Sequence, residues 1–280
     1  MSSDTSIRSA LLAPSTGALV AGGANSGALI VNADDWGQDT LTTDRILQSC
    51  LQGAVTSVSA MVFMADSERA AELAGARKIE TGLHLNFTTR FSADSVSSRL
   101  LDHQQRLAAF LLRHRLAQAV FHPGLANSFR YVAAAQLEEF RRIYGADPDR
   151  IDGHHHMHLC VNVLAQRLLP AGTMVRRSFS FAGGEKSAWN RMYRGLVDKR
   201  LARRHRLTDY FFSLPPMEPA SRLERIYSLA RQFVVELETH PARTEELSYL
   251  SGRIFNDTRD VRIAPPSAVL RRESGPPPTN

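Results

Sequence analysis

A mainly parallel α/β sheet, open or closed into a barrel, is the fold that this 280-residue sequence predicts, and two observations predict it. From residue 28 onward, short β-prone apolar segments alternate about seven times with segments of helical periodicity, and no Pro/Gly-rich linker separates them. Three of the apolar segments run directly into aspartate or histidine clusters, where the C-terminal ends of parallel strands would gather a site. The hydrophobic fraction of 43% and the length suit a single domain with a sizeable core.

The elements follow in order. Residues 28–33 (ALIVNA) form a first strand. Asp39 or Thr40 caps a helix with Leu41, Ile46, Leu47, Cys50 and Leu51 at helical spacing, and Gly53 stops it. Residues 55–63 read as a strand, 67–77 as a helix and 79–86 as a strand. A mostly helical region, 98–144, is broken around His122-Pro123-Gly124. Residues 150–153 form a brief strand that leads into a histidine run and a helix to about residue 169. Further strands are expected over 173–179, 209–214 and 233–239, and Trp189, Met192, Tyr193, Leu196 and Val197 set the apolar spacing of a helix between them. The domain is expected to span 28–263. Residues 1–27 lack the basic start and continuous apolar run of a signal peptide and read as a disordered extension, and 264–280 as a Pro-rich tail.

The formal charge is +6, but only Lys78, Lys186 and Lys199 of the 34 basic residues are lysines. An arginine skew of this kind points to codon bias rather than to a nucleic-acid surface. No apolar stretch approaches the ~20 residues needed to span a bilayer. Cys50 and Cys160 sit in apolar surroundings and read as buried thiols, so a cytoplasmic, reducing location is expected. Residues 189–206 carry Arg191, Arg194, Lys199, Arg200, Arg203, Arg204 and Arg206. A solvated helix face is the expected reading. Contact with a phosphorylated or lipid-linked substrate, or peripheral contact with an anionic membrane, is the alternative.

Three clusters carry the chemistry: Asn32-Ala33-Asp34-Asp35-Trp36-Gly37, Gly82-Leu83-His84-Leu85-Asn86 and Asp152-Gly153-His154-His155-His156-Met157-His158. Carboxylates and imidazoles from separate strands can hold an ion and leave a base to take a proton from water. Adjacent strand residues point to opposite sides, so one of Asp34 and Asp35 can face a metal and the other the substrate; capping of the next helix is the bland alternative. His84 could be a core histidine or a ligand, and Asn86, on the same strand face, could orient a ligand or touch the substrate. Four imidazoles in five residues make poor core packing. Some of His154, His155, His156 and His158 should meet a metal and others should support it, with Asp152 fixing the tautomer of one. Arg176 and Arg177, ending a strand, are candidates for substrate contact.

These motifs, read as Val31–Gly37, Gly82–Thr88 and Ile151–His158 with a weaker Glu238-Thr239-His240-Pro241, resemble the YdjC-like carbohydrate deacetylase family in content and order. The resemblance implies a distorted, TIM-like (β/α) barrel and one divalent ion, magnesium by family and zinc also compatible. It implies Asp35, His84 and His154 as ligands, Asp34 as general base and His240 as general acid. Asn86, Asp152, His156, His158 and Arg177 are then expected around the substrate or behind the ligands. The implied reaction removes an acetyl group from an N-acetylated sugar, either an oligosaccharide or a glycolipid, and a homodimer is compatible with it. The competing functions are a metallophosphoesterase or amidohydrolase-like hydrolase, and a non-catalytic sugar- or lipid-binding barrel. Trp36, where phenylalanine is usual, is expected to change the bulk near the ion.

Overall fold

Apolar and polar residues alternate along the strands, and each strand buries both faces by turning them to different surroundings. In the computed structural model, which describes residues 27–114, 116–181 and 185–269, the elements run β1 (Ala28–Trp36), α1 (Thr40–Leu51), β2 (Ser57–Ala60), α2 (Ser67–Arg77), β3 (Thr81–Leu85), α3 (Ser98–Arg113), α4 (Ala126–Tyr144), β4 (Arg150–Gly153), α5 (Val161–Ala165), β5 (Met174–Val175), α6 (Ala188–Ala202), β6 (Tyr210–Ser213), α7 (Ala220–Ala230), β7 (Val234–Thr239), α8 (Thr244–Leu250), α9 (Arg253–Asp257) and α10 (Pro266–Val269). The expected extension over 1–27 lies outside the described residues except for Gly27, as does the expected tail from 270 on. Ile263 bridges to Leu29, and the Ala264 N–H donates to the Leu29 carbonyl at 3.0 Å.

All seven strands are parallel, in the order β5-β4-β3-β2-β1-β7-β6. The sheet curls until its edges meet through irregular backbone. Val175 N–H donates to the Arg206 carbonyl at 2.9 Å, Arg206 N–H to Thr173 at 3.1 Å and Ser180 N–H to Phe211 at 2.9 Å. The result is a distorted barrel. Strands β2 and β5 are shorter than their apolar runs, because β-prone residues at either end leave the ladder for loops that line the barrel mouth.

Leu29, Val31, Val58, Leu83, Ile151, Val175, Val235 and Leu237 face outward into the apolar core under the helices. Their neighbours Asn32, Asp34, Ser57, Ser59, His84, Arg150, Asp152, Arg176, Glu236 and Glu238 are buried on the opposite faces. Ile30 and Met174 form a small separate apolar contact. This interior is polar where parallel barrels usually carry branched aliphatic layers. Gly82 makes room for it: a Cβ there would come within 2.8 Å of the Arg150 carbonyl oxygen and 3.0 Å of its Nε.

One helix leaves much of its apolar stripe uncovered. On α6 the buried residues are Val197, Asp198 and Leu201, whereas Trp189, Met192, Tyr193 and Leu196 are exposed. No helix among the described residues is long and apolar enough to cross a membrane.

Candidate active site

β1 continues through both aspartates to Trp36, and its pairing with β2 slips between Ala33 and Trp36. At the slip Asp35 takes φ 69°, a left-handed conformation uncommon for residues other than glycine. The kink cancels the strand alternation that would send the two carboxylates apart. Asp34 Oδ2 lies 3.9 Å from His84 Nδ1, and Asp35 Oδ1 lies 3.4 Å from His84 Nε2. Trp36 turns the other way. Its buried indole donates to the Ala70 carbonyl at 3.2 Å, so its bulk packs against α2 and not beside the ligands.

The register of β3 on β4 sets His84 beside Asp152. His84 Nδ1–H donates to Asp152 Oδ1 at 2.7 Å, which orients the ring and turns Nε2 toward Asp35. Asp152 was expected to serve the histidine run; it serves His84 because the parallel register pairs those two positions. Burial disfavours charge on His84, but Asp34, Asp152 and Asp35 outweigh it and push its pKa up to about 10.

The histidine run forms a kinked 3-10 turn, His154–Leu159, in which His155 and His156 both have left-handed φ, 54° and 58°. The four rings therefore go to different places. His154 Nδ1 lies 2.9 Å from Asp35 Oδ1. His155 stacks on His154 with centroids 4.1 Å apart, and its Nδ1 lies 3.0 Å from Thr88 Oγ1. His156 turns inward, edge-on to Phe179 at 4.5 Å, with Nε2 3.6 Å from Glu238 Oε1. His158 is fully buried, and its Nε2–H donates to the Arg176 carbonyl at 3.0 Å, tying the turn to the chain after β5. Burial lowers the His158 pKa to about 4, so the ring is neutral and structural.

Asp35, His84 and His154 each offer a ligand atom within 4.8 Å of the other two. One carboxylate and two imidazoles, the outer two partly exposed, form a donor set suited to a divalent cation with room for further ligands. The surrounding charge also fits. Asp34, Asp152, Glu236 and Glu238 share two interior guanidiniums among the described residues, Arg150 and Arg176, and Asp35 meets His84 and His154.

Arg176 organises this interior. Nη1 and Nη2 clamp Asp34 at 2.6 and 2.7 Å, Nη2 lies 3.0 Å from Asp152, and Nε donates to Glu236 at 2.7 Å. Burial opposes ionisation of Asp34, yet Arg176 and then His84 hold its carboxyl well below the usual range. Glu238 goes the other way. Burial and the charge of Asp34 raise its pKa well above the ordinary value, and burial depresses that of the neighbouring His156. Both shifts disfavour an ion pair across their 3.6 Å approach. His240 also joins: one of its nitrogens lies within 4.8 Å of carboxylate oxygens of Asp34 and Glu238.

Two of the residues expected around the substrate or behind the ligands are engaged elsewhere. Arg177 leaves the barrel on the opposite side of the chain from Arg176, with Nη2 2.8 Å from Asp198 of α6 and Nη1 3.2 Å from the Thr208 carbonyl. Asn86 is consumed by its own loop. Its Oδ1 accepts from Thr88 and Thr89 N–H at 3.1 and 2.8 Å, and its Nδ2 donates to the Thr89 carbonyl at 2.6 Å. Sequence reasoning left Arg150 and Glu236 without a role, took Arg176 as a candidate for substrate contact and used Glu238 only as part of the weaker fourth motif. The signal was the alternation of polar and apolar residues through 150–152 and 235–238, which reads as a polar inner face.

The model of the YdjC-like protein family matches residues 28–269. A carbohydrate deacetylase from Mus musculus is 32% identical over 165 residues, covering 58% of this chain and 53% of the relative. A chitooligosaccharide deacetylase from Klebsiella pneumoniae is 28% identical over 135 residues, covering 48% of this chain and 52% of the relative. The matched regions span about half the length of these curated relatives. A solved Enterococcus faecalis V583 protein, named for cellobiose-phosphate cleavage, shares the fold with a TM-score of 0.65 at 18% identity over 87% of this chain and 98% of its own. With three motifs in family order on one curled parallel sheet, and a family match across nearly all the described residues, the chain belongs to the YdjC-like protein family.

Proposed function

We propose that the protein is a metal-dependent N-deacetylase that releases acetate from an N-acetylated sugar, with Asp35, His84 and His154 holding one divalent cation. The observation that carries this reading is the convergence of those three donors from β1, β3 and the turn after β4, with the ionised Asp34 beside them. The relatives' names, carbohydrate deacetylase and chitooligosaccharide deacetylase, support a sugar amide as the substrate class.

A divalent cation bound there supplies Lewis acidity, polarising the acetyl carbonyl and acidifying water. Asp34 accepts the proton that water loses as its oxygen bonds to the acetyl carbon. Its depressed pKa makes Asp34 a weak base, which is sufficient only for water already made acidic, so base and cation have to act together. The two-point clamp of Arg176 fixes the carboxylate's orientation, and the Asn32 amide holds Oδ1 at 2.8 Å. His240 delivers a proton to the nitrogen as the C–N bond breaks, giving acetate and a free amine. Burial lowers the His240 pKa, so the ring starts neutral, and the proton it delivers is the one Asp34 has taken from water nearby. Magnesium is the proposed ion, and the two imidazoles make zinc the alternative.

The test is acetate release from N-acetylglucosamine oligosaccharides by protein stripped with a chelator and then reloaded with Mg2+ or Zn2+. Release that returns with the cation supports the reading. Release unaffected by chelation, or faster release of phosphate from a phosphoester, would overturn it.

A further inference from the structure

We propose that the exposed face of α6 docks the protein onto an anionic lipid surface. Trp189 is 77% exposed, Met192 50%, Tyr193 44% and Leu196 59%. Their spacing of three, four and seven residues puts them on one stripe of the helix. Lys199, Arg200 and Arg203 continue the same stripe and are exposed. The one acidic residue of α6, Asp198, faces the opposite way, buried and held by Arg177 at 2.8 Å. The outer face is therefore apolar at its start and cationic at its end, with no compensating carboxylate of its own.

A second exposed apolar patch lies close by. Leu116, Val120 and Phe121 are exposed in the segment after α3. That segment is tied to α5 by the His122 N–H, which donates to Asn162 Oδ1 at 2.9 Å. The end of α6 lines one small cavity together with Val163, Leu164 and Leu169 at the other side of α5.

The charge pattern selects the occupant. If a second copy docked antiparallel across a two-fold axis, its cations would meet the apolar half of the stripe; docked parallel, cations would meet cations. A lipid surface accommodates both halves. Tryptophan and tyrosine settle at headgroup level, Met192 and Leu196 enter the acyl boundary, and lysine and arginine meet anionic headgroups. Arg194 of α6 lies 5.1 Å over Phe181, and the neighbouring Phe179 touches His156. Docking would therefore hold the barrel mouth close to the bilayer.

The chain carries a built-in probe, since of its two tryptophans Trp36 is fully buried and Trp189 is not. With vesicles of phosphatidylcholine containing phosphatidylglycerol, the full-length protein is expected to co-sediment and to shift its tryptophan emission to the blue. Pure phosphatidylcholine vesicles should bind it far less. Changing Lys199, Arg200 and Arg203 together to alanine should lower partitioning roughly 100-fold, from about fivefold per cation near the surface. All three are exposed, and an unchanged circular dichroism melt would exclude misfolding. Absence of binding to anionic vesicles, or undiminished binding by the triple variant, would overturn the proposal. So would a concentration-dependent dimer that Trp189→Ser dissociates in a protein that ignores vesicles.

Discussion

Replacing Arg176 with methionine keeps most of the side-chain volume and removes the cation shared by Asp34, Asp152 and Glu236. Removing one partner of a buried ion pair costs about 3–5 kcal/mol. For a domain of this size, 1 kcal/mol corresponds to roughly 2–4 °C. The expected loss at pH 7 is then roughly 6–20 °C in Tm, measured by calorimetry with a chelator present so that no bound cation contributes. Arg225→Met is the control: its pair with Glu185, at 3.0 Å on the surface, should matter by about 0–1 kcal/mol. The pH dependence follows from the direction of the shift. In the wild type the folded pKa of Asp34 is depressed, so its contribution is present above the unfolded value near 3.8 and is lost as pH falls below it. Without Arg176 the same buried carboxylate has a raised pKa, and its penalty disappears on protonation. The gap between variant and wild type should therefore be widest near neutrality and narrow toward pH 4. A loss below about 1 kcal/mol at pH 7, or a gap that widens in acid, would refute the clamp as the organiser of the interior. If the methionine variant does not fold, Arg176→Lys keeps the charge without the two-point contact and should lose less stability but still slow acetate release.

Asp34→Asn should reduce acetate release by about 10²–10⁴-fold while metal content, read by elemental analysis, stays at the wild-type level; loss of the ion would make Asp34 a ligand. His154→Ala should lower metal content, and full occupancy would move the ligand to His155 or His156. Loading the metal-free protein at pH 7 should release about one proton, from His84, whose pKa stands at about 10, and affinity should rise with pH; buffer-dependent calorimetric heats report both. Asn86→Ala leaves the Thr88 and Thr89 N–H groups without their acceptor and should destabilise the fold by about 1–3 kcal/mol, with KM for the sugar unchanged in the folded fraction.

The strands were legible because each is a short apolar run between turn residues, and 67–77 and 150–153 coincide with α2 and β4. Strand length was not legible, since Val55, Val62 and Phe63 have β-prone side chains but lie in loops around β2. The convergence of Asp34, Asp35, His84 and His154 was visible as motifs at strand ends. Their mutual orientation was not, because it depends on the left-handed Asp35, which nothing in an Asp-Asp pair announces. Asp152 was seen as a tautomer-fixing partner and given to the wrong histidine, because register between parallel strands is set by tertiary packing. Arg177 was preferred for substrate contact although Arg176 faces the barrel, and only the inward or outward phase of β5 separates the two. On α6 the apolar spacing predicted a helix, and the structure leaves most of that apolar stripe exposed. Periodicity shows that a helix has two faces without showing which one is covered.

The polar interior connects the site to the fold. Replacing aliphatic layers with Asn32, Ser59, Arg150, Asp152, Arg176 and Glu236 gives up apolar burial, and each buried polar group then needs a partner of its own. Many of the pairs are made between strands distant in sequence, such as Arg176 with Asp34 and Arg150 with Ser59. A strand displaced by one residue would break several of these bonds at once, so the network that aims Asp34 also specifies the barrel's register. Its carboxylates nevertheless exceed its guanidiniums even with Glu238 set aside, Asp34, Asp35, Asp152 and Glu236 standing against Arg150 and Arg176. Close to the mouth, at Asp35 and His154, that residual negative charge is the feature a divalent cation would complete. Cation binding should then raise stability as well as enable turnover, and both effects should be lost together in His154→Ala.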